Sequence, residues 1–159
     1  MTVQELLQDL GHEMGLGCLQ LNAERACRVL CDDCFDVTIE FSATNDVCYI
    51  HSFIGLAEDY DAKILYPTLL DANVLGRGTG GASFGCDAES GDIILSRSFD
   101  LGDLTFPRFK IAFQEFLNYV EYWTDRLEKG NLVLESNLMI KPGTHPGGKP
   151  KRKEGQVIK

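Results

Sequence analysis

The order of helices and strands is decided by the stretch LLDANVLGRGTGGA, residues 69–82. Its first part is apolar and predicts a short helix, with Pro67 expected in the first turn. Four glycines then follow within six residues, and such a cluster supplies the positive φ of a helix C-cap and a tight return to a sheet. The sequence after it predicts a strand over 82–87, a turn, and a partner strand over 92–99.

Upstream of this stretch the sequence predicts one helix and three strands. A capping box at Thr2 begins a helix over 3–14, which carries leucines at helical spacing. The period then changes to two, with strands predicted over 26–31, 35–41 and 47–54. Because short polar turns join them, the three strands are expected to form an antiparallel meander.

Downstream, a long helix is predicted from one continuous apolar seam. Its residues are spaced 4, 3, 4, 3 and 4 apart and are Phe109, Phe113, Phe116, Val120, Trp123 and Leu127. The fold class is therefore α+β, in the order helix, three-strand antiparallel meander, short helix, two strands, long C-terminal helix. Residues 1–130 are expected to form one domain, and 131–159 an extension whose basic tail, 141–159, is disordered.

The charge balance bears on the class of partner. The chain has 15 basic and 24 acidic residues, a net charge of −9. From Lys141 onward there are six basic residues and one acid, so residues 1–140 carry nine basic and 23 acidic residues, or −14. Such a body repels nucleic acid and anionic membranes and suits a basic or polar partner. The N-terminus lacks the basic residues of a secretory signal, so we expect a cytosolic protein with reduced cysteines.

Two motifs suggest chemistry, but their surroundings argue against it. Residues 76–81 satisfy G-x-G-x-x-G, yet they follow a helix and open a strand, which is the reverse of a dinucleotide site. Cys31 and Cys34 form a C-x-x-C that Cys27 could join, but a structural zinc site needs four ligands and no second close pair exists. The histidines are scattered and make no catalytic set. We therefore expect no catalytic residues, no metal and no cofactor.

Several motifs together resemble a known family. They are Leu6-Leu7-x-x-Leu10-Gly11 with Gly15-Leu16, then Leu69-Leu70-Asp71-Ala72-Asn73, then Gly76-Arg77-Gly78-Thr79-Gly80-Gly81-Ala82, then Gly91-Asp92-Ile93-Ile94-Leu95-Ser96-Arg97, and an aromatic helix with Phe116 and Trp123. Over residues 3–127 the chain resembles the class I type III secretion chaperones of the Tir-chaperone (CesT) family. The basic tail and the six cysteines depart from the family pattern.

The resemblance implies a homodimer and a client. The client would be the N-terminal stretch of a secreted effector, held in extended form and kept soluble in the bacterial cytoplasm, with a secretion ATPase as a further candidate partner. The implied dimer interface comprises Leu69, Leu70, Ala72, Asn73, Val74 and Leu75. The candidate effector-binding residues are Leu6, Leu10, Val29, Ile39, Phe41 and Ile50, taken as exposed apolar side chains.

Two other functions remain open from the sequence. A regulator of the same fold would use the same kind of groove to sequester a transcription factor. A small metal or redox protein would be built on Cys27, Cys31 and Cys34.

Overall fold

The computed structural model describes residues 2–32 and 34–132 of the 159-residue chain. In chain order the elements are α1 (Val3–Glu13), β1 (Ala26–Cys31), β2 (Phe35–Phe41), β3 (Val47–Leu56), α2 (Ala62–Asn73), β4 (Ser83–Cys86), β5 (Asp92–Asp100) and α3 (Phe106–Glu128). Short 3₁₀ turns, Ala57–Asp59 and Val74–Gly76, flank α2. The predicted class and order of elements are confirmed.

One five-stranded antiparallel sheet has the strand order β1-β2-β3-β5-β4. The meander of β1, β2 and β3 forms through short turns, and β5 then pairs with β3. Within residues 2–32 and 34–132, β4 pairs only with β5, so β1 and β4 are the two edges of the sheet in this part of the chain.

The hydrophobic core lies between one face of this sheet and the helices. Alternate residues of the strands are buried, and α3 contacts both β2 and β3 while α1 contacts α3. All six residues of the predicted α3 seam are buried, as their spacing requires. The opposite face of the sheet, called here the outer sheet face, carries the alternate residues of β1, β2 and β3, which are exposed or half-buried.

The start of α2 differs from the prediction. Pro67 lies inside the helix, which begins at Ala62 with Asp61 as N-cap; the Asp61 carboxylate accepts from the N–H of Lys63 at 2.9 Å. Proline removes the helical bond to the C=O of Lys63. Since Lys63 and Pro67 are both exposed, this carbonyl can bond to water instead.

The glycine stretch fixes α2 against the rest of the molecule. Gly76, Gly80 and Gly81 have positive φ, as the C-cap interpretation requires. The indole Nε1 of Trp123 donates to the C=O of Gly78 at 2.8 Å in a buried bond. The loop follows a helix and leads into β4, so it has the arrangement expected of a structural return and not that of a phosphate loop.

The folded part extends to Leu132, beyond the domain boundary expected at residue 130. Leu132 is buried, and its C=O accepts from the hydroxyl of Thr68 on α2 at 3.1 Å. The remainder of the expected extension, 133–159 with its basic tail, lies outside the described residues.

Candidate functional site

The free edge of β1 is open over part of its length. The N–H of Phe41 donates to the C=O of Arg25 at 3.0 Å, which fixes the phase of the β1–β2 ladder. Hydrogen-bonded residues alternate in an antiparallel pair. The odd-numbered residues of β1 therefore bond to β2, and the even-numbered ones turn their N–H and C=O groups outward.

Only one of the three outward-facing residues of β1 is satisfied by the described part of the chain. Ala26 donates to Asn22 Oδ1 at 2.9 Å, and its C=O accepts from the N–H of Asn22 at 2.8 Å. No such bond is found for Arg28 or Leu30 among the described residues. Their four backbone groups form a template on which an extended peptide could pair.

Aromatic side chains are exposed on the outer sheet face. Tyr49 and Phe53 lie on β3, and Phe53 is 54% exposed. Phe53 faces Ile94 of β5 across the ladder, and His51 between the two aromatic residues lies 3.6 Å from the carboxylate of Glu40. Large exposed aromatic groups beside charged ones are typical of a binding surface.

Charges flank the β1 edge on this same face. Arg28 forms an ion pair with Asp36 of β2, and this hydrogen-bonded carboxylate raises the pKa of the Arg28 guanidinium. The Arg28 side chain is largely exposed and the Asp36 side chain is half-buried, so solvent screens the pair and its contribution to stability is small. It places polar groups next to the open backbone of Arg28 and Leu30.

A second apolar surface is formed by α2 and the residues just after it. Tyr66, Leu70 and Val74 share the outward face of the helix, since they are spaced four residues apart, and Leu75 follows. Leu70 is 65% exposed and Leu75 is 99% exposed. These four residues are called the α2 surface.

Leu75 combines full exposure with an unfavourable backbone. Its φ is 54°, in the left-handed region that non-glycine residues seldom adopt. The C-cap turn therefore exposes a leucine side chain to solvent at the end of α2. This side chain is not buried by any described residue, so it contributes no hydrophobic stabilisation to the protomer.

The structure separates the residues predicted for the dimer interface into two groups. Leu70, Val74 and Leu75 are exposed, as an interface requires. Leu69 and Ala72, in contrast, are buried in the protomer's own core. The Asn73 side chain is also engaged within its own chain, with the backbone of Phe84.

The candidate effector-binding residues are not at the surface. All six are at most 2% exposed and belong to the core: Leu6, Leu10, Val29, Ile39, Phe41 and Ile50. The expectation that they are exposed is wrong because α1 and α3 cover the face of the sheet to which they point. The exposed aromatic residues of β3, Tyr49 and Phe53, alternate with these core positions and were missed.

The cysteines do not converge on a site in the described part of the chain. Cys27, Cys31 and Cys48 are buried, whereas Cys18, Cys34 and Cys86 are exposed. Burial raises the pKa of the Cys48 thiol to about 12. Among residues 2–32 and 34–132 there is no group of three or more His, Cys, Asp or Glu side chains arranged to hold a metal.

Comparison with known proteins identifies the family. Residues 5–124 match the model of the Tir chaperone protein (CesT) family. The chain belongs to this family. A Chlamydia pneumoniae protein is 29% identical over 129 residues, which cover 80% of this chain and 98% of the relative. The resemblance found in the sequence motifs is thus confirmed.

Three solved structures share the fold seen here. The HopA1–SchA chaperone–effector complex matches with a TM-score of 0.64 at 19% identity, covering 77% of this chain and 92% of that chain. The ExsC–ExsE complex matches with 0.66 at 22% identity, covering 77% and 91%. The Yersinia pestis type III secretion chaperone SycH, in complex with a fragment of YscM2, matches with 0.60 at 16% identity, covering 77% and 99%.

No helix in the described part of this CesT-family chain has both the length and the apolar character needed to cross a membrane.

Proposed function

We propose that the protein is a cytoplasmic, homodimeric type III secretion chaperone of a bacterium, which binds the N-terminal region of one or more effectors in extended form. Binding keeps that region soluble and competent for secretion. The observation that carries the proposal is the open backbone of Arg28 and Leu30 at the β1 edge, in a CesT-family fold. A chaperone–effector complex among the similar structures supports the same function.

Strand addition suits an unfolded client. Hydrogen bonds to the backbone of Arg28 and Leu30 supply affinity without requiring a particular client sequence. Side chains of the added strand would alternate between the two faces of the sheet, and every second one would lie on the side that carries Tyr49 and Phe53. Tyr49 and Phe53 lie on β3, and β1 and β2 separate them from the added strand. They would therefore contact only a client segment that continues across the outer sheet face.

The α2 surface is the proposed dimer interface. A two-fold dimer buries the same patch on both protomers, so the exposed Leu70 of one chain would pack near the equivalent residues of its partner. Leu75 would be covered in the same step, which gives a reason for an exposed leucine with a positive φ.

The acidic character of the chain favours basic clients. The net charge of −9 raises the local concentration of positively charged segments and speeds their association, an effect that salt weakens. The proposed mechanism is equilibrium binding and requires no covalent step, so we propose a binding protein and not an enzyme. Docking of the loaded dimer to a secretion ATPase is part of the same proposal.

The test is capture of the tagged protein from its native cytosol, followed by mass spectrometry and light scattering. We expect a dimer carrying one or a few larger proteins. Truncation should then show that an N-terminal fragment of the captured protein binds alone, whereas the protein lacking this fragment does not.

Two results would contradict the proposal. One is a monomer without a partner, and the other is a partner held only through a folded domain outside its N-terminal region. A captured DNA-binding regulator would instead favour sequestration of a transcription factor by the same fold.

A further inference from the structure

The β4 edge of the sheet differs from the β1 edge in that more of its outward-facing backbone groups are already hydrogen-bonded within the described part of the chain. The N–H of Asp87 donates to the C=O of Asp92 at 2.9 Å, which sets the phase of the β4–β5 ladder. By alternation, the odd-numbered residues of β4 bond to β5. The outward-facing residues are Phe84, Cys86 and, just before the strand, Ala82.

Asn73 occupies both outward groups of Phe84. The N–H of Phe84 donates to Asn73 Oδ1 at 2.7 Å, and Asn73 Nδ2 donates to the C=O of Phe84 at 3.2 Å. A primary amide offers one acceptor and a donor in the same arrangement as a peptide group. The last residue of α2 therefore takes the place that one residue of an added strand would need.

Thr79 does the same for Ala82. The N–H of Ala82 donates to the C=O of Thr79 at 3.2 Å, and the Thr79 hydroxyl donates to the C=O of Ala82 at 2.5 Å. The Thr79 side chain is buried, so solvent does not compete for this bond. Two of the three outward positions at β4 are thus closed, whereas two of the three at β1 are open.

We propose that Asn73 and Thr79 close the β4 edge against strand addition, so that each protomer accepts a pairing strand only at β1. Copies of the chain would then associate through side chains of the α2 surface and not by pairing one β4 with another. The inference rests on the proposed strand addition, and it assigns Asn73 a role in selecting the pairing edge in place of the interface role expected from the sequence.

The test is Asn73→Ala in the full chain without any client, made in a Leu70→Glu background that disables the α2 surface. Hydrogen exchange should show the Phe84 amide exchanging at least tenfold faster, while the amides of Ser83 and Gly85, which face β5, keep their protection. Sedimentation velocity should show species larger than those of Leu70→Glu alone, increasing with concentration.

Asn118→Ala is the matched control, because Asn118 is also a half-buried helical asparagine but lies on α3. We expect it to change neither the exchange of Phe84 nor the size distribution. If Asn73→Ala fails to fold, the nearly isosteric Thr79→Val opens the carbonyl of Ala82 and should produce the larger species in its place.

Unchanged exchange at Phe84, or faster exchange without larger species, would overturn the inference. Neither result depends on a client, so failure here is distinguishable from failure of the proposed chaperone function.

Discussion

Gly78 leaves no room for a β-carbon. A Cβ built on it would lie 2.7 Å from both Cα and Cβ of Ala72, and its carbonyl is held by the Trp123 indole. This close approach, and not conformational freedom, explains the glycine here, because its φ is not positive. The middle of the glycine stretch thus joins α2 to α3.

Gly78→Ala should lower the free energy of unfolding by about 1–3 kcal/mol, since overpacking moves α2 away from the loop. Gly85→Ala is the control, because nothing lies within 4 Å of a Cβ built there, and it should change the free energy by less than about 0.5 kcal/mol. Urea unfolding of both variants measures the difference. Equal effects of the two substitutions would contradict the packing argument.

Cys48 makes stability depend on alkaline pH. Burial raises the pKa of its thiol from 9.0 to about 12. Between these values the unfolded chain releases a proton that the folded chain keeps, so the free energy of unfolding falls as pH rises from 9 towards 12. Below pH 9 both states hold the proton, and Cys48 contributes no pH dependence.

Cys48→Ala should therefore reduce the loss of urea stability between pH 8 and pH 10.5. The variant itself is less stable at pH 8, because a buried side chain is shortened. The comparison of the two slopes isolates Cys48 from Tyr60 and Tyr119, whose pKa values are also raised by burial. Identical slopes in the two proteins would count against a buried, neutral thiol.

At the scale of elements, the β1 edge can be tested with a substitution that leaves the β1–β2 ladder intact. Leu30→Pro removes an outward-facing N–H, and proline is tolerated on edge strands at such positions. It should weaken binding of the captured effector's N-terminal fragment at least tenfold. Leu30→Ala keeps the N–H and removes most of the side chain, so it should weaken binding less, as measured by calorimetry.

The reverse order of affinities would show that the Leu30 side chain, and not the edge backbone, holds the client. Circular dichroism of both variants checks that the fold is retained.

An element could be predicted from the sequence where its apolar residues repeat with one clear helical or strand period. The α3 seam and β2 (Phe35–Phe41) were predicted well because their apolar residues follow one period without ambiguity. The start of α2 was missed because Pro67 indicated a first turn, whereas the effective N-cap is Asp61. In β3 both faces carry apolar residues, so alternation alone could not tell the core side from the exposed side.

The sequence also could not show what the α1 leucines pack against. Leu6 and Leu10 share a stripe at helical spacing, which predicts an apolar face but not what covers it. In the structure the covering groups belong to the same protomer. Tyr49 and Phe53 can be recognised as surface residues only when it is known which face of the sheet the helices cover.

At the scale of the whole molecule, the α2 surface determines the expected oligomeric state. Leu70→Glu places a charge at the centre of that surface and should convert a dimer into a monomer of 17.7 kDa, as measured by light scattering. Ile111→Glu is the control, since Ile111 is similarly exposed, at 60%, but lies on α3 about 18 Å along the helix from Trp123. It should leave the mass unchanged.

Dissociation by both substitutions would point to a different interface, and dissociation by neither would remove the α2 surface from the dimer. Retention of client binding by a monomeric Leu70→Glu protein would show that one open β1 edge is sufficient.

The turn between β1 and β2 also offers a natural labelling site from which effector binding could be followed. Cys34 is exposed and its N–H donates to the C=O of Cys31 at 3.1 Å, so its thiol lies just beyond the end of the open edge. With Cys18 and Cys86 changed to serine, a fluorophore coupled at Cys34 would sense a strand arriving beside Leu30. Effector loading and release could then be followed in real time without introducing a new residue near the site.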